Sequence, residues 1–244
     1  GAGGGTTSHI GFATSTGAIN INANDIGLVA GALINTSGTV TIKPRTSSTS
    51  IGLGGGSGTL NLTDAELSYI SAGNLIIGDS LSGAGDVAVS TWDLSTKTHN
   101  VELYGNDFTI AGLTLGTGNF LAHAMDNGVD LGDLTTSNPI TKSVAGSSTL
   151  TLRADHNINL TTTSGGAITA STGSLNVIAN SDRDHDLDGF INSSINITTN
   201  GGNLTYGGGL NPETENSYNT GGGGIGTGGP IKTGAGRIKK RGQS

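Results

Sequence analysis

The sequence predicts an all-β chain folded as a right-handed parallel β-helix, with one short inserted helix and a Gly-rich flexible tail. Three observations carry that reading. Short segments of strict period-two alternation recur along the chain, each bounded by Gly or Asn: AININA (18–23), TVTIK (39–43), TLNLT (59–63), NLIIG (74–78), DVAVS (86–90) and NVELY (100–104). Such alternation marks half-buried strands. Gly17, Gly38 and Gly58 are spaced at 21 and 20 residues, the length of one solenoid coil. The second half then repeats itself in wording: STLTLRAD (148–155) with INLTTTSGGAIT (158–169) resembles GSLNVIAN (173–180) with INITTNGGNLT (195–205).

A single coil cannot bury its own apolar face, so such a chain is stable only when coils stack. Strands of successive coils then lie about 4.8 Å apart, and inward Val, Ile and Leu form ladders. Asn and Thr can stack in the same way. Corners need positive φ angles, which Gly and Asn supply. An antiparallel sandwich would require a regular hairpin series, and the strand intervals are too uneven for one. Composition agrees with a thin core: 44 Gly and only 4% aromatic residues leave few large side chains.

In LTDAELSYISAG (62–73), Thr63 and Glu66 have capping-box spacing, Leu67 and Ile70 share a face, and Gly73 stands where a helix would stop. This predicts a two-turn helix bulging from a coil. Residues 1–210 are read as shaft and 211–244 as tail, because NTGGGGIGTGGP has too little apolar surface to order itself.

If the two repeats are aligned on Ile158 and Ile195, the first unit has 8 residues between Leu150 and Ile158 and the second has 20 between Leu175 and Ile195. A 12-residue insertion follows from that alignment, and it contains NSDRDHDLDGF (180–190). Asp184, Asp186 and Asp188 before Gly189 reproduce the D-x-D-x-D-G opening of a calcium loop, with Gly189 read as allowing the sharp turn. Asn180 and Asp182 extend the alternation upstream. The twelfth position is Ile195 rather than Glu, so carbonyls, water or Asn192 would have to complete the shell. The expected metal set is Asn180, Asp182, Asp184, Asp186 and Asp188 holding Ca²⁺; a solvated acidic loop is the alternative.

Asp126, Asp130 and Asp133 in MDNGVDLGDL are read as Asx-turn residues, with a second cation site or a carboxylate pair as the alternatives. The five His are scattered and form no H-x-x-x-H pair. Absence of Cys removes disulfides, thiol catalysis and Cys-ligated zinc. Net charge is −7, and the five Lys/Arg against two Glu from Gly207 onward leave the body at −10. No nucleic-acid surface is expected on such a body. No apolar run is long enough to span a membrane. No catalytic residues and no cofactor-binding residues are assigned. The chain starts without Met and is expected to be a piece of a longer or processed protein.

Residues 39–90, with SIGLGGGSGTLNLTDAELSYISAGNLIIGDSLSGAGDVAVS, resemble the repeats of filamentous-haemagglutinin-like bacterial exoproteins, the adhesins of two-partner secretion. The coil pair at 148–206 is similar to the same group's N-I-N-L and G-G-x-I-x repeats. The resemblance implies a secreted or cell-surface fibre segment for attachment, with host-cell or surface glycans and proteins, or like fibres, as partners. It also implies an outer-membrane export partner, and no enzyme. Two other classes compete: a carbohydrate-active β-helix enzyme, lyase or hydrolase, using Asp182, Asp184 and Asp186 with Arg183, and a self-assembling extracellular or phage fibre subunit.

Overall fold

The computed structural model describes residues 9–161, 167–184, 186, 188–213, 225–227, 231–232 and 237–240. Every pair of hydrogen-bonded strands among them is parallel, as the alternating segments require, and the strands form a three-faced parallel β-helix. The first face stacks nine strands: Ile19–Asn22, Thr39–Lys43, Asn74–Ile77, Asn100–Gly105, Phe120–Ala124, Ser147–Ala154, Ser174–Ser181, Leu204–Gly208 and Ile238–Lys240. The second face has eight strands, the six-stranded third face starts at Trp92–Asp93, and a separate three-stranded sheet occupies the N-terminal part of the chain.

Register converts the sequence alternation into core ladders. Val40, Leu75, Val101, Phe120, Leu150, Val177 and Leu204 are successive partners on the first face, and all are buried. The next inward row alternates bulk: Leu103 is followed by Ala122, Leu152, Ala179 and Tyr206. Small residues in that row leave room for large ones elsewhere, and Trp92 meets Phe120 edge-on at 6.2 Å. Each fully buried aliphatic side chain contributes about 1.5–3 kcal/mol relative to exposure. Stability is therefore distributed along the stack.

Outside the core, Asn residues stand at the entrance to the first face and join coils through their side chains. Asn100 Oδ1 accepts from the Asn119 N–H, Asn119 Oδ1 from the Thr149 N–H, and Asn176 Oδ1 from the Asn203 N–H, each at 2.9 Å. The second face repeats the device with acids: Asp107 Oδ1 accepts the Asp133 N–H at 2.8 Å, and Asp133 Oδ1 the Asn157 N–H at 2.9 Å. A side-chain acceptor suits these corners because the backbone turns away from the regular ladder there.

Three sequence expectations change. The helix is shorter than expected, Asp64–Ser68, although its capping box between Thr63 and Glu66 is present. Ile70–Ser71 returns to strand, and Gly73 lies where a Cβ would collide with the Ser37 carbonyl. Close approach, not helix termination, explains that glycine. The stack also passes the expected boundary at 210: Ile225, Ile231 and Ile238 pair with Ile191, Ile197 and Leu204, adding strands to all three faces. The remaining residues of 211–244 beyond Glu213 fall mostly outside the described part. Finally, Ile158 pairs with Ile191, not Ile195. Leu150 to Ile158 spans eight residues and its partner segment Val177 to Ile191 spans fourteen, so the acidic loop is longer by six residues rather than twelve.

That loop belongs to a pattern. Between the first and second faces, the chain makes long connections after Ile77, Ala124 and Ser181, with short ones after Gly105 and Ala154 between them. From Ile77 to Ile191, long and short loops thus alternate at one corner, whereas the connection 44–50 is also long and lies on the coil next to 78–86.

Candidate functional site

The acidic loop leaves the first face at Ser181 and rejoins the second at Ile191. Asp182 makes the turn: its φ is 53°, its N–H donates to the His156 carbonyl at 3.2 Å, and its own carbonyl accepts from the Gly209 N–H at 3.0 Å. A non-Gly residue in this region suits Asp better than most side chains. The next peptide follows the coil above, with the Arg183 N–H on the Ala154 carbonyl at 3.1 Å. Gly189 closes the loop by close approach, since a Cβ there would strike the Asp182 N and the His156 carbonyl. The sharp turn expected at Gly189 is made with positive φ at Asp182 instead.

Folding brings Asp182, Asp186 and Asp188 together, each offering a carboxylate oxygen within 4.8 Å of the other two. Asp182 is buried, Asp188 half-buried and Asp186 exposed. Asp186 Oδ1 accepts the Asp188 N–H at 3.3 Å. Burial, and then the Asp186 carboxylate beside it, pushes the Asp188 carboxyl up to about 6. Asp184 is exposed and outside the convergent set; partial burial first, then Asp186 and Asp155, raise it as well. Crowded carboxylates of this kind favour holding a proton or a cation, because either removes like-charge repulsion.

Asn180 and Ser181 precede the cluster, both fully buried. The Asn180 amide oxygen and nitrogen and the Ser181 hydroxyl have no hydrogen-bond partner among the described residues. Buried polar atoms are nearly always satisfied, so these need an explanation. Ser181 was not singled out in the sequence; its only signal is its place before Asp182. Ile195 is buried in the core and supplies no ligand, and Asn192 is exposed on the second face. His185 lies outside the described residues.

Asp126, Asp133 and Asp155 have structural partners. Asp126 Oδ1 accepts the Gly128 N–H, and Asn127 Oδ1 accepts the Val129 and Asp130 N–H groups at 2.9 and 3.0 Å, as Asx turns do. Asp133 contacts His156 Nδ1 at 2.7 Å, and His123 Nε2 lies 2.9 Å from Asp155 Oδ1.

Fold and site together define the class: an all-β parallel solenoid with a carboxylate-lined loop at one corner. Comparison with protein-family models, curated proteins and solved structures gives no match. No helix among the described residues is long and apolar enough to cross a membrane.

Proposed function

We propose that the chain is a structural and adhesive segment of a secreted or surface-exposed bacterial fibre, with a calcium ion tying down the corner loop. One observation carries the reading: a long in-register stack in which variation is concentrated in loops at one corner, the most acidic of which gathers three carboxylates within 4.8 Å. A stack of this kind suits mechanical display, and the loop is where recognition has chemistry to use. The resemblance of residues 39–90 to adhesin repeats points the same way.

Asp182, Asp186 and Asp188 fit a hard cation, which takes six to eight oxygens. Carboxylate oxygens are the ligands it prefers, and Asn180 and Ser181 offer neighbouring oxygens with no hydrogen-bond partner among the described residues. Bound calcium would neutralise the like charges and fix the loop for contact. Affinity in the range of extracellular modules, on the order of 10⁻⁴ to 10⁻³ M, is expected.

The test couples both parts. Beads coated with the chain should adhere to cell or glycan surfaces in calcium and detach in chelator. The Asp182→Asn, Asp186→Asn, Asp188→Asn variant should lose the calcium-dependent part and keep the fold. Adhesion indifferent to both would sink the calcium-tied loop, and no adhesion to any surface would sink the adhesive reading. Release of new reducing ends or unsaturated products from acidic polysaccharides would replace it with the enzyme.

A further inference from the structure

Arg153 and Arg183 stand thirty residues apart in the sequence and side by side in the fold. Arg153 is on the outward pleat of Ser147–Ala154, in register with Asn180 of the next coil. The Arg183 N–H donates to the carbonyl of Ala154, the residue after Arg153. Coil stacking therefore brings Arg183, at the start of the loop after Ser174–Ser181, beside the end of the adjacent strand Ser147–Ala154 that carries Arg153.

Neither guanidinium makes a hydrogen bond or an ion pair among the described residues, and the Nε of each is buried without a partner. This is unexpected in a chain with 18 acidic and 11 basic residues. The carboxylate that attracts Arg153 is already engaged: Glu102 accepts from Tyr104 Oη at 2.7 Å and from Asn74 Nδ2 at 2.9 Å. Burial, and then the neighbouring Arg183 charge, hold Arg153 below its usual range. Two adjacent guanidiniums that are partly desolvated and lack a counter-ion cost stability unless an anion joins them.

We propose that Arg153 and Arg183 form an oxyanion-binding site on the outer face of the first sheet, taking one carboxylate or sulfate group between their guanidiniums. Arg suits this task because its planar fork donates paired hydrogen bonds to oxyanions. The two Nε atoms are sealed, so the outer nitrogens do the binding. The row continues along the stack through His123 and Tyr104, whose rings meet at 6.1 Å. The bound group thus belongs to a ligand lying along the fibre axis. This site does not depend on calcium.

The experiment titrates the full chain, in chelator and at constant ionic strength, with sodium sulfate, sodium glucuronate or sodium chloride. The readouts are the Arg Nε–H resonances and calorimetric heat. Saturable 1:1 binding of sulfate or glucuronate, with shifts at Arg153 and Arg183 and none with chloride, is expected; the tighter of the two names the ligand's group. Arg183→Gln should weaken binding at least about tenfold without lowering the melting temperature, because a charged hydrogen bond is lost from a loop position. Arg153→Lys, which keeps the charge but not the fork, should weaken it too. Lys239→Gln, at an exposed Lys paired with Glu213, should leave it unchanged. Absence of saturable binding overturns the site, as does binding that survives both Arg variants.

Discussion

Asn176 Oδ1 accepts the backbone N–H of Asn203 at 2.9 Å, so a side chain of one coil holds the entrance of the next. Asn176→Ala leaves that N–H to water and should destabilise the chain by about 0.5–1.5 kcal/mol. Urea unfolding should show a lower midpoint with unchanged slope. Asn176→Asp, which keeps the acceptor, should recover most of the loss.

Gly78 has φ +98°, and a Cβ there would run into the Tyr104 carbonyl of the next coil. Gly78→Ala should cost about 1–3 kcal/mol through forbidden backbone and collision together. A melting temperature at or above that of the parent chain would refute this account of the corner.

His99 is buried, and burial first, then the Lys97 charge, depress its pKa to about 4. The unfolded chain takes up a proton near 6.5, so between about pH 6.5 and 4 the unfolded state binds more protons. The stability contributed by neutral His99 is complete above pH 6.5 and is lost as pH falls toward 4. His99→Gln should remove this slope in stability measured against pH, and the His99 ring resonances should stay unprotonated at pH 5.5.

Asp188 works in the opposite sense. Its folded pKa, about 6, lies above its unfolded value near 3.9, so the folded state binds the extra proton between those limits. In chelator, stability from this group is greatest below pH 4 and falls as pH rises to 6. Asp188→Asn should flatten that slope and stabilise the chain at pH 7 without calcium. In calcium, the same variant should be the less stable one, and parent affinity for the ion should decline below pH 6 as protons compete.

Strands were legible because period-two alternation survives in TVTIK and NVELY, and both turned out to face the core as written. The capping box was legible because Thr63 and Glu66 are close in sequence. The repeat alignment misled at one point for a physical reason. INSSINIT contains two Ile-Asn pairs, and similarity of wording chose Ile195 whereas the hydrogen-bonded register uses Ile191. Ile191 opens one strand and Asn196 the next, with a tight corner between. Of the five expected ligands, folding joins Asp182, Asp186 and Asp188, whereas Asp184 turns outward. Alternate spacing along the chain cannot predict this, because the loop is not a strand. The pairing of Arg153 with Arg183 was invisible, since it depends on register alone.

The alternation of long and short connections between Ile77 and Ile191 bears on where the molecule can be enlarged. Neighbouring coils are only about 4.8 Å apart, less than the width of a folded loop. Long loops on consecutive coils have to pack against one another, as 44–50 and 78–86 do through the Gly85 N–H on the Thr49 carbonyl at 3.0 Å, whereas those on alternate coils each have a vacant storey beside them. The tight turn at Asp155–Asn157 is such a storey, with long loops on either side. A peptide grafted there would be crowded from both sides. The tip around Gly128, where an added Cβ meets nothing within 4 Å, has open headroom and is the better place to carry a foreign epitope.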